Sequence, residues 1–209
     1  EKLFIIPAID HQLEDLPRLL SLFRRAPTQK IGLLSVEDSE KLITEPTKGI
    51  LSYSQVAIQA ILELSNGHPY FTQLLCFAVF MRTRNQQNKQ IISEDVQGII
   101  DEALDMGEGG LVWFREGLPI PERVIFSAVA EAWERVNLRG DSSIEKPLII
   151  LQEYGVVPTE LLRQAKTQLI EWDFLELVDN EDLLLDNSQT YQIKVELVRR
   201  WLVKQHPLR

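Results

Sequence analysis

The chain is poor in the residues from which catalytic and metal centres are usually assembled. Its 209 residues include one cysteine and three histidines. Cys76 has no partner for an internal disulfide, and within Leu74-Leu75-Cys76-Phe77 it reads as a small buried hydrophobe of a reducing, cytoplasmic protein. His11, His68 and His206 are scattered, and no His-Glu-x-x-His or paired-cysteine spacing offers a metal its ligands. Positive charge is scarce as well. The 22 Lys and Arg against 31 Asp and Glu give a net charge of −9, a field that repels phosphate backbones and anionic lipid. The longest apolar run, Leu74–Met81, is far shorter than the roughly 20 residues that span a bilayer. No G-x-x-x-x-G-K-[ST] loop is present to cradle phosphates, and no strand ends in an Asp-Glu pair for magnesium. By itself the chain is not expected to hydrolyse ATP, and no catalytic residue or metal site is assigned.

What is present describes an ordinary globular chain, 44% hydrophobic and 25% charged, long enough for one large domain or two small ones. It opens directly into the apolar run Leu3-Phe4-Ile5-Ile6, an odd start for a complete protein, so a piece of something longer is expected. Residues 1–34 read as strand, helix and strand, the end of an α/β domain. From Ser35 the period becomes helical. Ser35 and Asp38 mark one helix start, Ser54 another, and Asn66-Gly67 a helix end, because those two residues tolerate left-handed backbone. Pro69 opens a third helix whose apolar residues cover most of its circumference, which predicts a central position. Val96, Ile99, Ile100, Ala103 and Leu104 predict a fourth.

The three glycines of Met106–Gly110 predict a hinge or linker, and a second domain is expected from near Gly117. There a helix around Val124–Trp133, a short one at Leu148–Glu153 and a longer one through Leu162, Ala165, Leu169 and Trp172 precede two strand-like runs. These runs, Phe174–Val178 and Tyr191–Val195, read as a hairpin, and Leu197–Val203 as a closing helix. Three helices, a two-stranded wing and a final helix are the order of a winged helix.

Leu64-Ser65-Asn66-Gly67-His68-Pro69-Tyr70-Phe71 resembles the G-x-P segment in the helical lid of the STAND branch of AAA-type P-loop ATPases, signal-transduction ATPases with numerous domains. Gly32-Leu33-Leu34-Ser35-x-Glu37, leading into Leu42-Ile43, is similar to the passage from the last strand of such a core into its lid. Tyr191–Leu202 is similar to the end of the winged helix that follows. The resemblance implies a mainly α fold with a small β component. Its parts are a remnant of a P-loop ATPase core over 1–34, a four-helix AAA-type lid over 35–116 and a winged-helix domain over 117–209.

It also implies a regulatory portion that senses nucleotide state, with ATP or ADP held between a P-loop domain outside this chain and the lid turn Gly67, His68 and Pro69. The proline would present its rigid apolar ring to the adenine or sugar. Effector or sensor domains of the same protein and a homo-oligomer are the implied partners. In several branches the winged helix supplies a histidine that senses the β-phosphate of ADP. The matching triplet here is Lys194-Val195-Glu196; Val195 cannot donate a hydrogen bond, which leaves Arg199 as a substitute and Glu196 in place of the acid. The arginine that usually begins the third lid helix has no counterpart at Tyr70 or Phe71. Pro7–Gln12, at the end of a strand, is where a polar sensor would lie.

Two other readings stand beside this one: a protein-interaction module using an acidic wing, and a DNA-binding regulator. Charge opposes the second. Thr159–Trp172 carries Arg163 and Lys166 against Glu160 and Glu171, and Asp173–Asp186 carries six acids with no Lys or Arg.

Overall fold

The computed structural model describes residues 32–86, 89–139, 146–178 and 190–208, apart from the side chains of residues 113 and 114. The expected elements of residues 1–31, with the Pro7–Gln12 loop, lie outside the described residues, as do residues 140–145 and the wing acids Asp179, Glu181, Asp182 and Asp186. What is described is mainly helical.

Helix α1 (Val36–Thr44) starts where Ser35 Oγ accepts the Asp38 N–H at 3.1 Å, and α2 (Gln55–Ser65) where Ser54 Oγ accepts the Ala57 N–H at 3.2 Å. Asn66 at φ 46° and Gly67 at φ 69° end α2 in left-handed backbone. Pro69 then occupies the first turn of α3 (Pro69–Thr83), where its missing N–H removes no helical bond. Phe71, Leu75, Ala78 and Val79 bury α3, which packs on both α1 and α2 and is central as its pattern predicts.

The fourth helix is two. α4 (Ser93–Gly98) and α5 (Ile100–Met106) are separated at Ile99, which leaves the helical region at φ −103°, ψ 4°. An Arg82 Nη1 donates to the Gly98 carbonyl and so holds the broken end, while Val96, Ile99, Ile100 and Ala103 still share the core. Periodicity survives the break because one non-helical residue hardly rotates the apolar face. A parallel pair of very short strands, β1 (Ser52–Tyr53) and β2 (Gln90–Ile91), ties the two halves of this bundle with Ser52 opposite Gln90; it is too short to leave a sequence signal.

The glycine-rich stretch is also corrected. Gly109 and Gly110 lie inside α6 (Glu108–Glu116) and do not form a hinge. A Cβ on Gly107 would collide with Leu74, and one on Gly110 with the Tyr70 hydroxyl. These two glycines serve close approach of α6 to α3 rather than freedom of the chain.

Beyond it come α7 (Ile120–Arg139), α8 (Pro147–Glu153), α9 (Glu160–Glu171), β3 (Leu175–Val178), β4 (Thr190–Ile193) and α10 (Glu196–Gln205), the order read from the sequence. β3 and β4 are antiparallel, with Leu175 opposite Ile193 and Leu177 opposite Tyr191. α7 is the axis of this half: α8, α9, β4 and α10 all pack against it. Phe126 of α7 meets Phe174 edge-on at 6.0 Å, and Trp133 Nε1 donates to the Tyr191 carbonyl at 2.8 Å. α10 belongs to both halves, because it also packs on α2 and α5, and Leu33–Arg209 form one contact unit.

Candidate functional site

The turn Gly67-His68-Pro69 is built by backbone geometry. Gly67 is buried, and its carbonyl accepts the Leu34 N–H at 2.9 Å. A Cβ there would stand 2.7 Å from the Leu34 carbonyl oxygen and 3.1 Å from Ser39 Oγ, so only glycine fits. The turn is thereby fastened to the segment that enters α1, and Pro69 is left exposed at the head of α3.

His68 is half-buried and stacks obliquely on Phe71, ring centroids 4.7 Å apart. Its Nδ1 is enclosed and bonded to no other residue, and burial holds the imidazole below its usual value, so it is neutral near pH 7. Tyr70, 43% exposed, stands beside it and meets Phe71 edge-on at 5.2 Å. An exposed proline ring, a neutral imidazole and a half-exposed phenol form a mostly apolar, weakly polar surface suited to a flat heterocycle, and they offer no charge to a phosphate. Ser65 supports the turn from beneath: it is fully buried and accepts the Thr72 hydroxyl at 3.0 Å.

Arg199 and Glu196 lie elsewhere, on α10. Arg199 is 7% exposed, and its guanidinium donates Nε and Nη2 to Glu196 at 2.7 and 2.8 Å and Nη1 to Glu134 of α7 at 2.9 Å. Burial alone would raise the Glu196 carboxyl, but the hydrogen bonds from Arg199 and Arg200 outweigh it and hold the group below its usual range. A phosphate reaching Arg199 would have to displace one of two carboxylates. Glu134 is the partner that sequence reasoning misses, since nothing local links positions 65 residues apart.

The other basic side chains of this region are similarly answered. Lys194 pairs with Asp173 at 2.6 Å, Arg200 with Glu196 at 2.8 Å and Lys204 with Asp101 of α5 at 2.8 Å. On α9, Arg163 pairs with Glu160 at 3.4 Å and Lys166 stands 4.5 Å over the Tyr191 ring, so both cations of that helix are engaged within the chain. Cys76 packs against the core, and burial pushes its thiol up to about 12, which disfavours the thiolate at neutral pH.

Among the described residues there is no group of three or more His, Cys, Asp or Glu side chains that could hold a metal, and no helix long and apolar enough to cross a membrane. No family model, curated protein or solved structure matches the chain.

Proposed function

We propose that this chain is the nucleotide-state-sensing lid and winged-helix portion of a STAND-type signal-transduction ATPase. The observation that carries the reading is the Gly67-His68-Pro69 turn. Its glycine is bonded to Leu34 and Pro69 is exposed, so a ring already fixed by its own covalent closure is offered to a purine or sugar at little entropic cost. The P-loop and the magnesium-binding acids would belong to a domain outside these 209 residues. The hairpin and α10 would carry the change of state onward, because α10 packs on lid helices α2 and α5 as well as on α7. Exchange of ADP for ATP can shift the packing only through contacts that differ between the two states, and those require the missing jaw of the cleft. The isolated chain should therefore bind nucleotide weakly.

The test uses the longer polypeptide that includes the phosphate-binding domain. Pro69→Ala is expected to weaken ADP and ATP about tenfold, the loss of one well-packed apolar contact, while the apo melting temperature changes little. An unchanged dissociation constant would defeat the assignment.

A second reading, a protein-interaction module, is favoured by the exposed apolar residues Ile149, Tyr154, Val157 and Leu161 along α8 and the start of α9, of which Val157 is 76% exposed. The two readings are compatible if that surface meets an effector domain. The engaged cations of α9 favour neither of them over the other, but they leave that helix poorly equipped for a DNA groove.

A further inference from the structure

The corner between α6 and α7 and the end of α10 frame an open cleft of about 580 Å³ whose lining contains no Asp or Glu. Arg115, Arg123, Lys204 and His206 supply its polar wall; Ile120, Val124 and Leu208 supply an apolar one. In a chain of net charge −9, this convergence of cations runs against the general character of the molecule.

Neighbouring groups answer only part of that charge. Lys204 is held by Asp101 at 2.8 Å and Asp105 at 4.0 Å. Arg123 spends Nε on the Leu118 carbonyl at 2.6 Å and Nη2 on the Glu116 carbonyl at 2.8 Å, which fixes its position without cancelling its charge. Arg115 Nε is enclosed and has no hydrogen-bond acceptor. That N–H is closed off from the cleft as well, so it is the rest of the Arg115 side chain that lines the cleft. Burial first, then the Arg123 charge, lower the Arg115 guanidinium; burial and then Arg115 lower His206, while Glu116 pulls both the other way.

We propose that this cleft binds a small organic phosphate, its anionic head between Arg115, Arg123 and His206 and its carbon body against Ile120, Val124 and Leu208. Two guanidinium groups suit a dianion with several oxygens better than a lone carboxylate, and the volume lies within the roughly 300–1,000 Å³ of small-molecule sites. The cleft is separate from the lid turn. α6 nevertheless touches the helix that Pro69 opens, through Gly110 and Tyr70, so an occupant would sit beside an element in contact with that turn.

The 209-residue protein is titrated with inorganic phosphate and with phenyl phosphate, followed by calorimetry and by the nitrogen–proton signals of the arginine Nε groups. Phenyl phosphate is expected to saturate one site about tenfold more tightly than inorganic phosphate, because only it covers the apolar wall. The Arg115 and Arg123 signals should move more than those of the other arginines. Arg115→Met should abolish binding, and Arg115→Lys, which keeps the charge but loses the planar fork, should weaken it about tenfold, so the outcome does not depend on one variant folding. Pro69→Ala should leave it unchanged, which separates this site from the nucleotide reading. Equal binding of the two phosphates, no saturation by either, undiminished binding in Arg115→Lys, or loss in Pro69→Ala would overturn the proposal. So would displacement of phenyl phosphate by a short DNA duplex or a phosphatidylserine vesicle at lower phosphate concentration, since the site would then belong to a macromolecule.

Discussion

The backbone N–H of Leu34 donates to the carbonyl of Gly67 at 2.9 Å, and this bond joins the entry to α1 with the turn that presents Pro69. Two segments more than thirty positions apart are held edge to edge by main-chain atoms alone. Of the turn's side chains, Pro69 faces outward at the head of α3, while His68 packs partly inward against Phe71.

Gly67→Ala should therefore be one of the most damaging small changes in the protein. The residue sits at φ 69°, and the added methyl would lie 2.7 Å from a backbone oxygen that cannot swing away. A loss of about 2 kcal/mol or more is expected from left-handed strain and the clash together. Urea denaturation of the variant measures it, and a loss below about 0.5 kcal/mol would show that the segment around Leu34 can retreat.

Arg199→Ala removes one side of a buried ion-pair network and leaves Glu134 without its partner. Because Glu134 is only partly buried, a loss of about 1–3 kcal/mol is expected. Adding Glu134→Gln should recover part of the loss, a coupling that a double-mutant cycle resolves. If Arg199→Ala is as stable as the wild type, the guanidinium is not structurally committed and a phosphate-sensing role for it becomes attractive again.

Stability should decline as the pH falls through 6.5, the ordinary imidazole value. His68 and His206 both lie below the usual 6.5 in the folded state, chiefly through burial, so the unfolded chain takes up protons first in that window and is favoured by them. His68→Gln should flatten the decline, and the double variant with His206→Gln should flatten it further. Glu196 acts in a lower window: its depressed carboxyl contributes stability above 4.5 that is lost as the pH falls further. Identical declines in wild type and His68→Gln would mean that the imidazole is solvated in solution.

Much of the local architecture was legible because it depends on neighbours in sequence. Ser35 and Ser54 cap their helices as hydroxyls ahead of free N–H groups do, and Asn66-Gly67 ends α2 with the left-handed backbone those residues permit. Leu162, Ala165 and Leu169 are buried where their spacing puts them on one face of α9. The misreadings are of another kind. Glycines at 107 and 110 looked like a hinge, yet they are packing contacts with Leu74 and Tyr70, and nothing in a glycine's own neighbours says whether it is there for freedom or for close approach. The break at Ile99 leaves no mark in the sequence because the apolar stripe continues across it.

The sequence by itself determined most of the helices, the caps at Ser35 and Ser54, the hairpin and a proline at a helix start, since each follows from backbone preferences and apolar spacing within a few residues. Only the tertiary structure decided which charges meet. Arg199 and Glu134, and Lys204 and Asp101, are distant in the chain and neighbours in space. Electrostatic energy falls with distance through space, whatever the distance along the chain, so no local pattern could foretell that one arginine is saturated by carboxylates while another lines a cleft with its Nε enclosed and unpaired.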